Sequence, residues 1–277
     1  MSGTLYLVGT PIGNLSDVSP RAREILSSVS LIAAEDTRVT GKLLSLLGIE
    51  NQLFSYHEHN KKEKGEKLLS RLLDGEDIAL VSDAGMPAIS DPGEDLVALC
   101  KDHDVPVSVV PGPCALVSAL AISGLPTARF SFEGFLSTAK NARMTHLASL
   151  KEDERTLIFY EAPHKLVRTL QDLYEKLGDR RISLVRELTK LHEEVIRTTL
   201  SQAILLYNEE KKPRGEYVLV LEGAAPKAPC SEEEGLELAL ALRKEGMSLM
   251  SAAKEAAGRT GGSKNRIYKQ LLDLEED

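Results

Sequence analysis

The sequence predicts an α/β protein: two α/β domains followed by a small helical appendage. Three observations carry this. Short apolar runs alternate with helical-period segments through the first 124 residues. Beyond a Gly-Leu-Pro-Thr break at 124–127 the alternation resumes with shorter spacings. A Pro/Ala stretch at 224–229 then leads into segments that are helical throughout. The chain has 277 residues, a length suited to two modest domains and an appendage, placed at 1–124, 125–224 and 231–277.

Strands are expected at 5–9, 31–34, 52–56, 78–81 and 107–110, where apolar residues cluster too briefly for a helix. Between them, Pro20 opens a helix over 21–28 and Gly48 stops one over 39–47. Apolar positions 68, 69, 72 and 73 give a helix over 63–73 that Gly75 closes. Further helices fall at 94–101 and 115–122. The alternation implies a mainly parallel first sheet. In the second half, strands are expected at 130–135, 156–160, 182–186, 194–198 and 217–222, with helices at 140–150, 163–177 and 200–209. The last strands lie too close for crossovers, so this sheet should be mixed. The appendage reads as helices over 232–244, 249–257 and 264–274.

The net charge of −8 argues against broad nucleic-acid binding driven by counterion release, though it permits a local basic patch. No run approaches the ~20 apolar residues that cross a bilayer, and the first residues lack a secretory pattern, so a cytoplasmic protein is expected. Cys100, Cys114 and Cys230 are too few and too scattered for a disulfide framework or a zinc site. His57-Glu58-His59 puts two imidazoles on one strand face, but with no third ligand in view no metal is expected.

The unusual segments all fall at the carboxyl ends of the first five strands: 9–14, 35–38, 57–60, 82–93 and 111–115. In an open parallel sheet that edge binds ligands. Each segment alone is compatible with an ordinary turn; five on one edge imply one cleft. The 82–93 stretch, with two each of Asp, Gly, Pro and Ser, builds a rigid loop that exposes backbone. Neither GxGxxG nor a Walker loop is present, which argues against nucleotide phosphate cradling.

Val8-Gly9-Thr10-Pro11-Ile12-Gly13-Asn14 resembles the first loop of the tetrapyrrole-methylase superfamily, and Asp83-Ala84-Gly85-Met86-Pro87 with Ile89-Ser90-Asp91-Pro92-Gly93 resembles its second cofactor loop. Residues 31–38, 160–165, 186–194 and 214–217 are similar to a narrower branch, bacterial enzymes that methylate a ribose 2′-oxygen of small-subunit ribosomal RNA. Cys114 stands where many relatives have Ser. The resemblance covers residues 4 to about 223. It implies two domains of the class III methyltransferase type, with S-adenosylmethionine folded between them. It assigns the cofactor to Gly9, Thr10 and Pro11, to Ser82, Asp83, Ala84, Gly85, Met86 and Ser90, and to Pro113 and Ala115. Tyr160, Leu188, Gly215 and Glu216 would complete the site. It also implies a homodimer and, as substrate, a decoding-centre cytidine of 16S rRNA in the small ribosomal subunit.

A ribose hydroxyl is a poor nucleophile and calls for a general base. Glu35, Asp36, His57, His59, Glu161, His164, Glu187 and Lys190 are candidates. Asp36 and Glu187 come first, because each ends a strand beside an arginine (Arg38, Arg186) that can hold phosphate or orient the carboxylate. Residues 35–38 can equally be a helix N-cap with a local ion pair, 162–164 a helix start, and 186–194 a solvated edge strand. RNA contacts are expected from Arg38, His59, Lys165 and Lys190, and from Lys264 and Arg266 in the appendage. Lysines at 61–67 and bases at 211–214 form further basic stretches, and the appendage's bases lack evident acidic partners except Glu255. Two rival readings stand: a tetrapyrrole-type small-molecule methyltransferase, and an RNA-binding protein with a relic cleft.

Overall fold

In the computed structural model, which describes residues 2–226 and 232–276, the chain forms two compact units, 1–224 and 225–277. Residues 227–229 of the Pro/Ala stretch, Cys230 and residue 231, the expected start of the appendage, lie outside the described residues.

The first unit holds two five-stranded sheets. The first has the order β3-β2-β4-β1-β5, formed by Leu5–Val8 (β1), Leu31–Ala34 (β2), Leu53–Ser55 (β3), Ile78–Val81 (β4) and Val107–Val110 (β5), all parallel. Its central strands are apolar throughout because both faces are covered. Leu31, Ala33, Ile78 and Leu80 pack with Lys61–Leu73 (α3) and Glu94–Asp102 (α4). Ile32, Ala34, Ala79 and Val81 pack with Pro20–Ser28 (α1) and Thr37–Leu47 (α2) on the other face. The helix starts follow local chemistry: the Ser19 hydroxyl accepts from the Ala22 amide at 3.0 Å, and Asp36 accepts from Arg38 N at 2.8 Å. A short 3-10 turn, Leu15–Asp17, carries no apolar periodicity that would have announced it.

The second sheet has the order β6-β7-β10-β8-β9. Phe130–Phe135 (β6) runs parallel to Thr156–Glu161 (β7), while Tyr217–Leu221 (β10), Arg181–Arg186 (β8) and Glu194–Thr199 (β9) pair antiparallel, which makes the sheet mixed. Lys140–Ser149 (α6), Leu166–Leu177 (α7) and Leu200–Leu205 (α8) cover one face. Two elements differ from expectation. The helix at 163–177 begins as a 3-10 turn, Pro163–Lys165, and the one at 200–209 becomes a π-turn after Leu205, turning Tyr207 into the core. The run 186–194 is the β8–β9 connection, with only its ends in strands.

The helix Ala115–Ser123 (α5) follows the first sheet in sequence but packs on the open face of the second, where Leu116, Ala119 and Leu120 meet Ile158, Val185 and Val220. Packing therefore changes over before Ala115. The stretch at 124–127 is no free linker: Leu125 is buried and Arg197 of β9 donates to the Ser123 carbonyl at 3.0 Å, a cation at a helix C-terminus.

The second unit is a three-helix module, Glu232–Lys244 (α9), Leu249–Thr260 (α10) and Lys264–Glu276 (α11), around Ala239, Leu242, Ala252, Ala253, Ala256, Ile267 and Leu271. Its small alanines let the helices approach closely. Its bases are less free than the spacing suggested: Arg259 pairs with Glu255 at 2.9 Å, and Arg266 is engaged.

One buried ion pair ties α6 to α7. Arg143, 3% exposed, donates to Asp172 at 2.7 Å and to the Ser137 and Thr138 carbonyls at 2.9 and 3.2 Å. Removing one partner strands the other charge, so Asp172→Ala should destabilise the first unit by about 3–5 kcal/mol. Urea denaturation checks this; an unmoved midpoint would mean that water reaches Arg143.

Candidate active site

A cavity of about 540 Å³ opens at the carboxyl edge of the first sheet, against the second sheet's β7, β8 and β10. It is built by loops held unusually close. An added Cβ on Gly9 would stand 2.7 Å from the Gly112 Cα, and one on Gly112 2.8 Å from the Gly9 Cα, so the β1 and β5 loops touch backbone to backbone. Thr10 and Gly85 exchange amide hydrogen bonds at 2.8 and 3.2 Å, and the buried Thr10 hydroxyl donates to the Ser82 carbonyl at 3.2 Å. Gly13 lies where a Cβ would meet the Lys190 stem at 2.3 Å, so the β1 loop also meets the β8–β9 turn.

Of the residues expected at the cofactor, Asp83, Ala84, Gly85, Met86 and Ser90 line the cavity, as do Ala115, Tyr160, Leu188 and Glu216. Gly9, Thr10, Pro11, Ser82, Pro113 and Gly215 stand outside the lining. Thr10 and Ser82 are buried behind it as scaffold, and Gly215 leaves room for the Glu187 carboxyl, which an added Cβ would meet at 2.5 Å. Asp36 caps α2, and its carboxylate is gripped by the Arg38 guanidinium at 2.6 and 3.0 Å, which holds it well below the usual range. The cap reading of 35–38 thus describes Asp36, while its neighbour Glu35 faces the cavity.

Glu187 also stands outside the lining. It occupies left-handed backbone at φ 52°, as Thr189 does at 65°. Burial raises its proton affinity, but the Lys190 ammonium at 3.0 Å and the Glu216 amide at 3.1 Å outweigh burial and set it low. Lys190 lines the cavity and also reaches Glu216 at 2.8 Å. Among the other expected RNA contacts, Arg38 is exposed and His59 lines a separate hollow beside Tyr56. Lys165 ends the 3-10 turn after β7, and Lys264 and Arg266 open α11 in the other unit. The lysine stretch at 61–67 is largely satisfied locally: Lys61 pairs with Glu58 and Asp95, Lys67 with Glu63, and Lys64 lies over Phe54. Lys211 pairs with Glu194.

Several lining residues were not among those expected at the cofactor, although Ile12, Ile89 and Asp91 lie within the motifs that marked the loops. Asp91 sits in the 82–93 loop beside Glu35 and Asp83, and Ile12, Ile89, Phe135, Val185 and Val218 form apolar wall. Burial, followed by the charge of Asp83, raises Glu35. Burial, then Glu35, pushes Asp91 up to about 6. The site is thus an apolar chamber with a negative end, shaped for a small molecule carrying both apolar surface and positive charge. Among the described residues no group of three or more His, Cys, Asp or Glu is arranged to hold a metal ion.

The sign of the Asp91 effect follows from its raised pKa. The unfolded chain ionises it near about 3.9, the folded chain near about 6. Between these values the fold holds an extra proton, and stability falls as pH rises. Asp91→Asn should therefore stabilise the protein above pH about 6, by about 1 kcal/mol once partial exposure is discounted. The gain should vanish below pH about 4. Denaturation curves at acid and neutral pH decide this; a pH-independent difference would show Asp91 to be fully hydrated.

A family model for tetrapyrrole (corrin/porphyrin) methylases matches residues 4–204, and one for the RsmI C-terminal HTH domain matches residues 231–275. Ribosomal RNA small subunit methyltransferase I of Synechocystis sp. is 49% identical over 99% of this chain and 99% of its own. The protein of that name from Escherichia coli O157:H7 is 44% identical over 98% of this chain and 95% of its own. That of Thermotoga maritima is 49% identical over 80% of this chain yet 99% of its own, 221 residues, the length of the first unit alone. Among solved structures, Thermus thermophilus uroporphyrin-III C-methyltransferase complexed with S-adenosyl homocysteine aligns with TM-score 0.57 at 20% identity, over 79% of this chain and 97% of that one. A cobalt precorrin-4 methyltransferase aligns with TM-score 0.56 at 17% identity, over 78% and 94%.

Proposed function

The chain belongs to the tetrapyrrole (corrin/porphyrin) methylase family, and from that premise we propose that it transfers a methyl group from S-adenosylmethionine to small-subunit ribosomal RNA. The observation that carries the RNA substrate is near-half identity, end to end, with relatives named ribosomal RNA small subunit methyltransferase I. The solved methyltransferases of tetrapyrroles share the fold at 17–20% identity, too little to bring their substrates with it. The finer assignment, the 2′-hydroxyl of a decoding-centre cytidine in 16S rRNA, rests on the motifs at 31–38, 160–165, 186–194 and 214–217. We place the enzyme in the cytoplasm with the ribosome. We also propose a homodimer; the exposed Val107 and Val109 on edge strand β5 support it, and light scattering that returns a single-chain mass at micromolar concentration would refute it.

The residues present fit the cofactor. Glu35, Asp83 and Asp91 at the negative end would hold its positive charge, and Ala115, Leu188, Val185 and Val218 would hold its apolar parts. When bound, the cofactor supplies a methyl group already activated on a sulfonium, so orientation supplies much of the rate. The chain must then hold the ribose hydroxyl in line and take its proton. We assign the proton to the carboxylates ending β2. Glu35 faces the cavity with raised proton affinity. Asp36 becomes an equal acceptor only when RNA phosphate draws the exposed Arg38 guanidinium away. Glu187 acts through Lys190 and Glu216 as a strap on the second sheet's side of the cleft.

Labelled S-adenosylmethionine should mark small ribosomal subunits and leave uroporphyrinogen unmarked; label in the porphyrin alone would overturn the reading. Glu35→Gln should lower turnover at saturating cofactor by about 10²–10⁴, beyond any weakening of cofactor binding through the lost charge. Calorimetry and turnover read the two separately; full turnover in the variant would move the base elsewhere.

The three-helix module is proposed to select substrate and to do no chemistry. The shorter Thermotoga relative and the compact first unit support this. Deleting residues 231–277 should leave cofactor affinity nearly intact, weaken RNA-dependent turnover and flatten its salt dependence. Turnover and salt slope identical to the full chain would make the module dispensable.

A further inference from the structure

We propose that Phe135 is the stacking platform for the base of the methyl-accepting nucleotide. Phe132 and Phe135 are three residues apart on β6, a spacing that puts side chains on opposite faces of a regular strand. Here both pack edge-on against Tyr160, at 4.9 and 5.5 Å between ring centroids. The reason is a break in register: Phe132 pairs with Ile158 and Gly134 with Phe159, which leaves Glu133 as an extra residue. Gly134 takes φ 61°, a conformation that suits glycine, and the strand beyond it turns Phe135 toward the cavity. Bulges beside active sites re-aim side chains in this way.

The ring so placed is held and yet uncovered. Tyr160, which braces it, is itself fixed by Phe132 and by the Leu116 amide, which donates to its hydroxyl at 3.1 Å. Phe135 lines the cavity and stays 57% exposed. Gly134 abuts Ser90, where an added Cβ would stand 3.6 Å from the hydroxyl oxygen, so Ile89, 45% exposed and also lining, shares the mouth with Phe135. Ile89 is flanked by left-handed Ala88 and Ser90, which hold it outward. Leaving a phenylalanine in water forfeits its burial, and the chain has only five. Two other apolar groups of the lining, Val185 and Val218, are only 1% and 5% exposed.

This inference rests on the RNA reading above. A ribose hydroxyl reaches a methyl donor inside a chamber only if its nucleotide leaves the stack, and the extruded base then needs a flat apolar surface. Phe135, 57% exposed, offers one in the same cavity that Glu35 lines.

The test uses full-length protein, small ribosomal subunits and labelled S-adenosylmethionine, with Phe135→Ala, Phe135→Leu and Phe135→Tyr. Phe135→Ala should raise KM for subunits about 10-fold, the scale of one base–aromatic stack. Phe135→Leu should be nearly as poor, Phe135→Tyr should match wild type, and cofactor affinity by calorimetry should be unchanged in all three. Unchanged KM in the alanine variant, or full activity with leucine, overturns the platform and leaves the RNA reading standing. Weakened cofactor binding assigns the ring to the cofactor instead, and loss of the dimer by light scattering assigns it to a second copy. Wild-type protein that marks no subunits overturns both readings together.

Discussion

The approach of Gly9 to Gly112 is the constraint on which the rest of the site depends. β1 lies between β4 and β5 in the first sheet, and the loops leaving β1 and β5 meet with no room for a side chain on either. That contact brings the Thr10 backbone within reach of Gly85, so that the β4 loop is paired to the β1 loop by two amide hydrogen bonds. Three loops are thereby fixed as one wall. α5, which starts just beyond Gly112, carries the wall onto the second sheet, where Leu116 and Leu120 are buried against Val185 and Val220. The cleft between the sheets is therefore a packed junction with a defined width.

Backbone strain gathers around this junction. Ala88 and Ser90 on one side and Glu187 and Thr189 on the other all adopt left-handed backbone without being glycine. Each such residue costs on the order of 1–3 kcal/mol and persists only where its surroundings over-determine it. The surroundings are visible. The Glu187 amide donates to the Glu216 carbonyl, its carboxylate accepts from the Glu216 amide and holds Lys190, and the Thr189 amide donates to Glu193 at 2.6 Å. On the β4 side, the Ser82 hydroxyl donates to the Ala84 carbonyl at 3.4 Å as the loop opens. Strain on both lips of the cavity aims side chains that ordinary turns would leave pointing elsewhere.

The charge pattern reconciles an acidic protein with an RNA substrate. The carboxylates Glu35, Asp83 and Asp91 are concentrated inside the cavity, where they suit a small cation. Several lysines that look like an RNA patch in the sequence are paired with local acids, as Lys61 is with Asp95 at 2.7 Å, Lys67 with Glu63 and Lys211 with Glu194. The cations at the site, Arg38 and Lys190, are paired with carboxylates that a phosphate would have to displace. Binding is thus biased toward a target that satisfies shape and base contacts as well as charge, since displacing an ion pair offsets much of the electrostatic gain.

Much was determined by the sequence alone. The alternation of strands with helices implied a mainly parallel first sheet, whose loops fall on one edge. The short spacing from β8 to β9 required antiparallel pairing, and the Gly- and Pro-rich loops marked the cleft because their composition is local. What stayed illegible depends on contacts between residues distant in the chain. Asp36 came ahead of Glu35 because Arg38 stood beside it, yet that guanidinium closes on the Asp36 carboxylate while Glu35 faces the cavity. Asp91 gained its raised pKa only from the burial and neighbours that the fold supplies. α5 reads as the end of the first domain, yet Leu116, Ala119 and Leu120 pack on the second sheet, because apolar composition records that a helix is covered and never by what. Phe135 follows the same rule: alternation along a strand assigns faces by parity, and a bulge is decided by pairing with a partner strand.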